Sequence, residues 1–441
     1  MARAALKPSP LEWTGGLLAL LPAAGIAAAC FTRGLFPPTW VRLAAALGAA
    51  GLIWLWLLAR VPAVRWENAA RRGAAMTPPA GRLWSWSLAA AYAAIVAVYV
   101  VVRHLRFNSG GFDLAIQSQV VWNTAHGRLF AASIEVAHYF GDHVSPLLGM
   151  FAPLYWIWES PPALLIVQTL ALATCGPAAY RLALHRTGRP WIGLVLGAVV
   201  LLLPALGFMN RYDFHAVTFV APLLLWSIVW AEEGRLWPSR TAALLAVAAR
   251  EEVGLVVALM ALVFWRRRMW GRESLLWAVG GVVWSLAALF VILPYFRGGA
   301  ESDTLTRYAY LGSSPGEIVT TLATRPLWVV GQVFSREWRL IYPLQLLLPF
   351  AGRPLLRPWL LLPLLPPLAY NLLSANLSQA SIYFQYTATL FPFLVWAAAD
   401  SLPQGGRADR SGDQDRAERE SFHKRGMAPV AGEEDGGAAA R

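Results

Sequence analysis

The sequence predicts an all-α fold, a polytopic transmembrane helical bundle of about 12 spans, some of them short or broken. Three observations carry this expectation. Many apolar runs approach the ~20 residues that a bilayer span needs. Charged residues make up 14% of the chain, against about 25% in an average soluble domain. Many of the 22 tryptophans stand at the ends of apolar runs, the level of the lipid headgroups. A large soluble core is excluded by the number and length of those runs.

The expected spans are Trp13–Phe31, Trp40–Leu58, Leu83–Val102, Ala163–Leu184, Trp191–Phe208, Val217–Trp230, Leu275–Leu293, Leu340–Phe350, Leu355–Leu373 and Tyr383–Ala399. Residues 1–102 hold the N-terminal spans, 103–400 form the main membrane domain, and 401–441 form a tail rich in Gly, Arg, Asp and Glu. That composition cannot bury a core, so the tail is expected to be disordered. Arg3 and Lys7 precede an apolar stretch ending Ala27-Ala28-Ala29-Cys30, loosely like a lipoprotein signal. The many spans that follow make it a first transmembrane helix. Cys30 and Cys175 both lie in apolar runs, which excludes a disulfide framework or a cysteine zinc site.

The net charge is +12. Its basic residues form short clusters between apolar runs and no continuous stripe, so nucleic acid is not the expected partner. The lipid bilayer is. Arg60, Arg65, Arg71, Arg72 and Arg82 follow the second span; Arg186 and Arg189, Arg235 and Arg240, and Arg266 to Arg268 with Arg272 follow later ones. The positive-inside rule places these clusters and both termini in the cytoplasm of a multi-pass plasma-membrane protein. His104 to Pro162, Asn210 to Ala216, Pro294 to Arg339 and Ser374 to Ile382 then face outward. The five arginines of the third of these conflict with the rule, which weakens in long loops.

Thr241–Trp265 is apolar but carries Arg250, Glu251 and Glu252 at its middle. Each central charge costs ~2.5–3.5 kcal/mol in an isolated span. Both flanks are also basic, which one span cannot satisfy but a hairpin of two half-length helices can. Broken helices of this kind often mark binding sites. A buried Arg–Glu pair fixing helix packing is the alternative.

The outward segments hold the remaining polar motifs. RFNSGGFDLAIQSQVVWNTAHGRLF predicts a helix from Leu114 to about Ala125, with Asp113 as its cap or as a general base at the mouth of a cavity. Gln119 and Asn123 lie on this helix, whose mixed face suits the membrane interface. HYFGDHVSP supplies His138, Asp142 and His143. These donor types suit a divalent metal ion, although their spacing matches no specific metal motif. Arg211, Asp213 and His215 follow in NRYDFH, and an extended stretch would point Asp213 and His215 the same way. Tyr383, Gln385 and Tyr386 sit at a span end, where aromatic anchoring is expected.

Taken in order, FDLAIQSQVVWNTAHG, FGDHVSP, YDFH, the Arg-Glu-Glu break and YFQYTATLFPF resemble a prokaryotic membrane family, domain of unknown function 2079. The resemblance spans Arg106 to Ala399. That family is itself similar to the GT-C glycosyltransferases, which use polyprenyl-phosphate-linked sugars. The resemblance implies a GT-C-like fold, a catalytic carboxylate in the base position at Asp113, and a phosphate-facing Arg250, to which Arg211 and Arg297 are alternatives. In a glycosyl-transfer mechanism, Asp142, His143, Asp213 and His215 would line the sugar pocket or hold a divalent ion. Two departures stand out: the acidic pair is a single Asp, and it follows the third span instead of the first. A transporter using Arg250, Glu251 and Glu252, or a non-catalytic membrane scaffold, would use the same residues differently.

Overall fold

The structure is a computed structural model that describes residues 75–298 and 303–404. The first two expected spans, Cys30, the arginines from Arg60 to Arg72 and the tail beyond Gln404 lie outside the described residues.

All regular structure among the described residues is helical, apart from one isolated bridge between Ala131 and His138. The helices used below are α1 (Pro78–Leu105), α2 (Gly111–Ala125), α3 (Pro161–Ala173), α4 (Cys175–Thr187), α5 (Pro190–Leu201), α6 (Pro204–Arg211), α7 (Val220–Glu232), α8 (Leu236–Val247), α9 (Val253–Arg266) and α10 (Glu273–Ala287). They continue with α11 (Pro315–Thr324), α12 (Pro326–Phe334), α13 (Glu337–Leu347), α14 (Leu365–Leu373) and α15 (Phe391–Asp400).

Among the described residues, three helical stretches are long and apolar enough to cross a membrane: Pro78–Leu105, Pro161–Thr187 and Glu273–Arg297. The pair α5 and α6, bent by 43°, is a fourth if it counts as one span. Proline explains the bend, because Pro204 opens α6 and cannot continue the ladder of α5. These four match expected spans. The others are shorter than a span requires. Leu355–Leu373 was expected as one helix, but it forms 3₁₀ turns over Arg353–Leu356 and Pro358–Leu364 before α14. Pro354, Pro358, Pro363, Pro366 and Pro367 remove the amide donors an α-helix would need. The last span starts late for a similar reason: Gln385–Thr387 is a 3₁₀ turn and α15 begins at Phe391, before Pro392.

Burial sorts the long helices into layers. Only 22% of the apolar window is buried in Pro78–Leu105 and in Glu273–Arg297, against 72% in Pro161–Thr187. The α3–α4 stretch is therefore central, and α1 and α10 present apolar side chains outward to lipid. Small residues let α9 and α10 approach closely. A Cβ on Gly254 would lie 2.4 Å from the carbonyl oxygen of Gly281, and the reverse holds at Gly281. Such contacts drive helix association where lipid supplies no hydrophobic force.

The bundle has two distinct ends. At one, arginines gather on helix termini. Arg181 pairs with Glu233. Arg240 pairs with Glu273 at 2.7 Å, and Arg267 with Glu232 at 2.5 Å and Asp400 at 2.6 Å. The expected hairpin is present. The head of α8 and the segment after α9 return to this same end, where the Trp270 indole donates to the Ser239 hydroxyl at 3.0 Å. Helices of 12 and 14 residues extend only ~18 and ~21 Å. Arg250, Glu251 and Glu252 form the turn between them.

Candidate functional site

The opposite end holds the polar motifs, and α2 organises them. Its cap is Gly110, not Asp113, and the helix begins at Gly111. Asp113 thus stands in the first turn. The capping acceptor comes from elsewhere in the chain: the Gly110 amide donates to Asp213 Oδ2 at 2.6 Å. The other oxygen of Asp213 accepts from Arg103, at the end of α1, at 2.5 Å. Asp213 is therefore a buried clamp joining α1, α2 and the loop after α6. It does not line the cavity described below.

The backbone explains why Asp213 and His215 diverge. Asp213 has φ +72°, a left-handed conformation that breaks the extended alternation. Two buried amides hold that loop. Gln168 Nε2 donates to the Asp213 carbonyl at 2.8 Å, and its Oε1 accepts from the His215 amide at 2.9 Å. Gln117 Nε2 donates to the Phe214 carbonyl at 3.1 Å, and its Oε1 accepts from the Ala216 amide at 2.9 Å. Every polar backbone group of the turn that these amides reach is satisfied, as burial demands.

His215 is thereby aimed at Asp113. Its Nε2 lies 3.6 Å from Asp113 Oδ2, beyond hydrogen-bond range, and neither ring nitrogen has a hydrogen-bond partner among the described residues. The Tyr212 hydroxyl donates to the same carboxylate oxygen at 3.2 Å, and its ring stacks on His215 at 5.3 Å. The neighbouring imidazole and the Tyr212 hydroxyl hold the Asp113 carboxyl below the usual carboxylate range, against the opposing effect of burial. Burial and the Asp113 charge push the Tyr212 phenol up.

The broken helix closes the site from below. The loop after His138 covers the break: Val144 donates to Glu251 Oε2 at 3.0 Å, Ser145 Oγ to the Ala249 carbonyl at 2.5 Å, and Leu147 to the Ala248 carbonyl at 2.8 Å. Irregular backbone at depth is stable only with partners of this kind. His143 Nδ1 lies 3.0 Å from Glu251 Oε1, and its Nε2 is 3.9 Å from Asp142. Burial disfavours the charged imidazole, but the Asp142 and Glu251 carboxylates outweigh it, so His143 titrates above its ordinary range. Arg250 Nε lies 3.2 Å from Glu252 Oε1 and 3.7 Å from Glu251 Oε1.

These groups enclose a cavity of about 270 Å³, lined by Asp113, Asp142, His143, His215 and Arg250 among others. Glu251 stands behind His143, and Glu252 beside Arg250. Several expected site residues have other roles. Gln119 bonds Ser133 through both ends of its amide, at 2.7 and 3.0 Å. Asn123 donates to the Ala131 carbonyl at 2.8 Å. Both pin the loop after α2 and neither reaches the cavity. Arg211 is exposed, and its carbonyl accepts from Arg103 at 2.9 Å. Arg297 does not line the cavity either.

The cavity also includes residues that sequence reasoning assigned elsewhere or passed over. Arg307 is a second guanidinium in its wall, 3.4 Å from the Tyr386 hydroxyl. Gln385 and Tyr386, expected as membrane anchors, line it too, as does Tyr139. The YFQYT motif carried a signal in its glutamine, which an anchor does not need. Arg307 carried none beyond its outward placement. Among the described residues, no three His, Cys, Asp or Glu side chains are grouped closely enough to hold a metal ion. The donors stand in separate pairs, Asp113 with His215 and His143 with Glu251, and no three of them converge on a point.

No curated protein and no solved structure matches the chain. The profile of one family, described as predicted membrane protein (DUF2079), matches residues 103–418, most of the chain. With this match and the apolar helices above, the chain belongs to the membrane-protein family DUF2079.

Proposed function

We propose that this protein is a GT-C-like glycosyltransferase that takes a sugar from a polyprenyl-phosphate donor. One observation carries the reading: Asp113 lines the same cavity as two guanidiniums, Arg250 and Arg307. A carboxylate and paired cations in one polar cavity suit a reaction that moves a proton and releases a phosphate. In this scheme the acceptor hydroxyl is oriented by Asp113 and gives up its proton to it as the new C–O bond forms. The bond from the sugar C1 to the phosphate oxygen breaks on the opposite side, inverting the centre, and the electron pair leaves with the phosphate. Arg250 and Arg307 stabilise that developing charge, their planar forks matching phosphate oxygens. The cavity of about 270 Å³ lies just below the ~300–1,000 Å³ of drug-sized sites, a size suited to one sugar ring. The isoprenoid tail would lie against the apolar exterior.

In the same reading the loop end faces outward across the plasma membrane and the arginine-rich end faces the cytoplasm, which the positive-inside rule supports. The shorter apolar helices complete a bundle of about 12 spans. The donor set does not favour a resident metal ion.

The test follows release of a labelled sugar from polyprenyl-phosphate donors by purified protein. Wild-type activity that drops at least about 100-fold in Asp113→Asn supports the base role. Full activity in that variant removes it, and no release from any donor removes the enzyme reading. The depth of Arg250, Glu251 and Glu252 favours a transporter as the second reading. It requires substrate or proton flux across sealed proteoliposomes that disappears in Glu251→Gln.

A further inference from the structure

A second cavity, of about 820 Å³, lies at the arginine-rich end, between the end of α9 and the 3₁₀ segment Pro358–Leu364. Its walls are apolar, with Leu262, Leu362, Trp265 and Trp359. Both tryptophans are exposed, by 53% and 58%, as suits rings at the headgroup level.

The turn after α9 divides its arginines. Arg267 points into the protein, to Glu232 and Asp400. Arg266, Arg268 and Arg272 line the groove instead, and among the described residues no acidic side chain does. None of the three has a carboxylate partner among the described residues; the adjacent Glu273 is held by Arg240 at 2.7 Å. Arg266 lies over the Trp359 ring, 4.6 Å from its centre. Arg268 has φ +57°, a left-handed backbone conformation that is costly for a residue with a Cβ. A topology signal accounts for the number of arginines, but not for three of them around one apolar groove without an acid.

We propose that this groove binds an anionic phospholipid, its phosphate on Arg266, Arg268 and Arg272 and its acyl chains along Leu262 and Leu362. Charge complementarity names the occupant. A zwitterionic lipid brings its own cation to a rim that already has three, and a soluble anion leaves the apolar walls uncovered. Basic pockets beside transmembrane helices bind acidic headgroups in this way. The site lies away from the Asp113 cavity and stands independently of the glycosyl-transfer reading.

Native mass spectrometry of the full chain in detergent tests it, with phosphatidylglycerol and phosphatidylcholine of identical chains as probes. Each arginine contributes about fivefold, so the wild type should prefer phosphatidylglycerol by about a hundredfold. The triple variant R266Q/R268Q/R272Q should lose that preference, and the triple lysine variant should keep most of it. Thermal unfolding run in parallel shows that each variant is folded. Should the glutamine triple fail to fold, Leu262→Trp replaces it, filling the groove with the arginines intact, and should also release the lipid. Equal retention of the two lipids by the wild type overturns the proposal. So does an unchanged preference in a folded glutamine triple or in Leu262→Trp. Displacement of phosphatidylglycerol by an equal concentration of inorganic phosphate would make it a free-anion site and overturn the lipid assignment.

Discussion

Replacing Asp213 with alanine should damage the fold, whereas replacing Asp113 with alanine should cost little stability. Asp213 is 3% exposed and makes two interactions, to Arg103 at 2.5 Å and to the Gly110 amide at 2.6 Å. Removing one partner of a buried pair costs ~3–5 kcal/mol, because the other charge is left uncompensated. The Arg103 side chain is 17% exposed and regains some water, which favours the lower end of that range. Loss of the α2 cap adds ~1 kcal/mol. The expected total is about 4 kcal/mol. The Asp113 side chain is 42% exposed and 3.6 Å from the buried His215 ring, and among the described residues it accepts a single hydrogen bond, from the Tyr212 hydroxyl; its removal should cost about 1 kcal/mol or less. Denaturant titration of both variants in mixed micelles measures the difference. An Asp213→Ala protein within ~0.5 kcal/mol of wild type, or one no weaker than Asp113→Ala, would refute the assignment of Asp213 as a clamp.

Other outcomes follow from the same geometry. His143 titrates above its ordinary value, so its stabilising charge is complete below ~6.5 and is lost as pH rises through the folded value. Stability should therefore fall as pH rises from ~6.5 through the folded value, and His143→Gln should flatten that slope in a pH series of melts. Asp113 behaves oppositely: its carboxyl is held low, so its contribution is complete above ~3.9 and disappears only as pH falls through the folded value. The proposed glycosyl transfer should accordingly show no acid limb from Asp113 near neutrality, and a limb at pH 6–7 would implicate another group. Gly281→Leu would place a side chain against the Gly254 carbonyl, where a Cβ already meets 2.4 Å. A loss of ~1–3 kcal/mol or more is expected from such overpacking, read as a lower melting midpoint. If the proposed donor binds, Arg307→Gln should weaken its binding by about tenfold or more, as loss of one charge-assisted contact does. Unchanged affinity in a donor titration would leave Arg250 as the sole phosphate ligand.

Features that depend on local composition are legible without the fold. Apolar length marked Leu83–Val102, Ala163–Leu184 and Leu275–Leu293, because the bilayer sets a length that any single run meets or fails. The charges at Arg250, Glu251 and Glu252 marked the broken hairpin, because basic residues flank both of its sides. The motifs holding Asp113, His143 and His215 were likewise legible as polar islands among spans. Tertiary structure decided where each side chain faces. Asp213 and His215 are two residues apart, yet one became a clamp and the other a cavity wall. The turn at φ +72° and the Gln117 and Gln168 amides, roughly 45 to 100 residues away in the chain, hold them so. Arg307 and Tyr386 joined the cavity for the same kind of reason: their place depends on loops that meet only when helices distant in sequence pack. Hydropathy is a property of a segment, but a site is a property of the contacts between segments, and those form only in the folded chain.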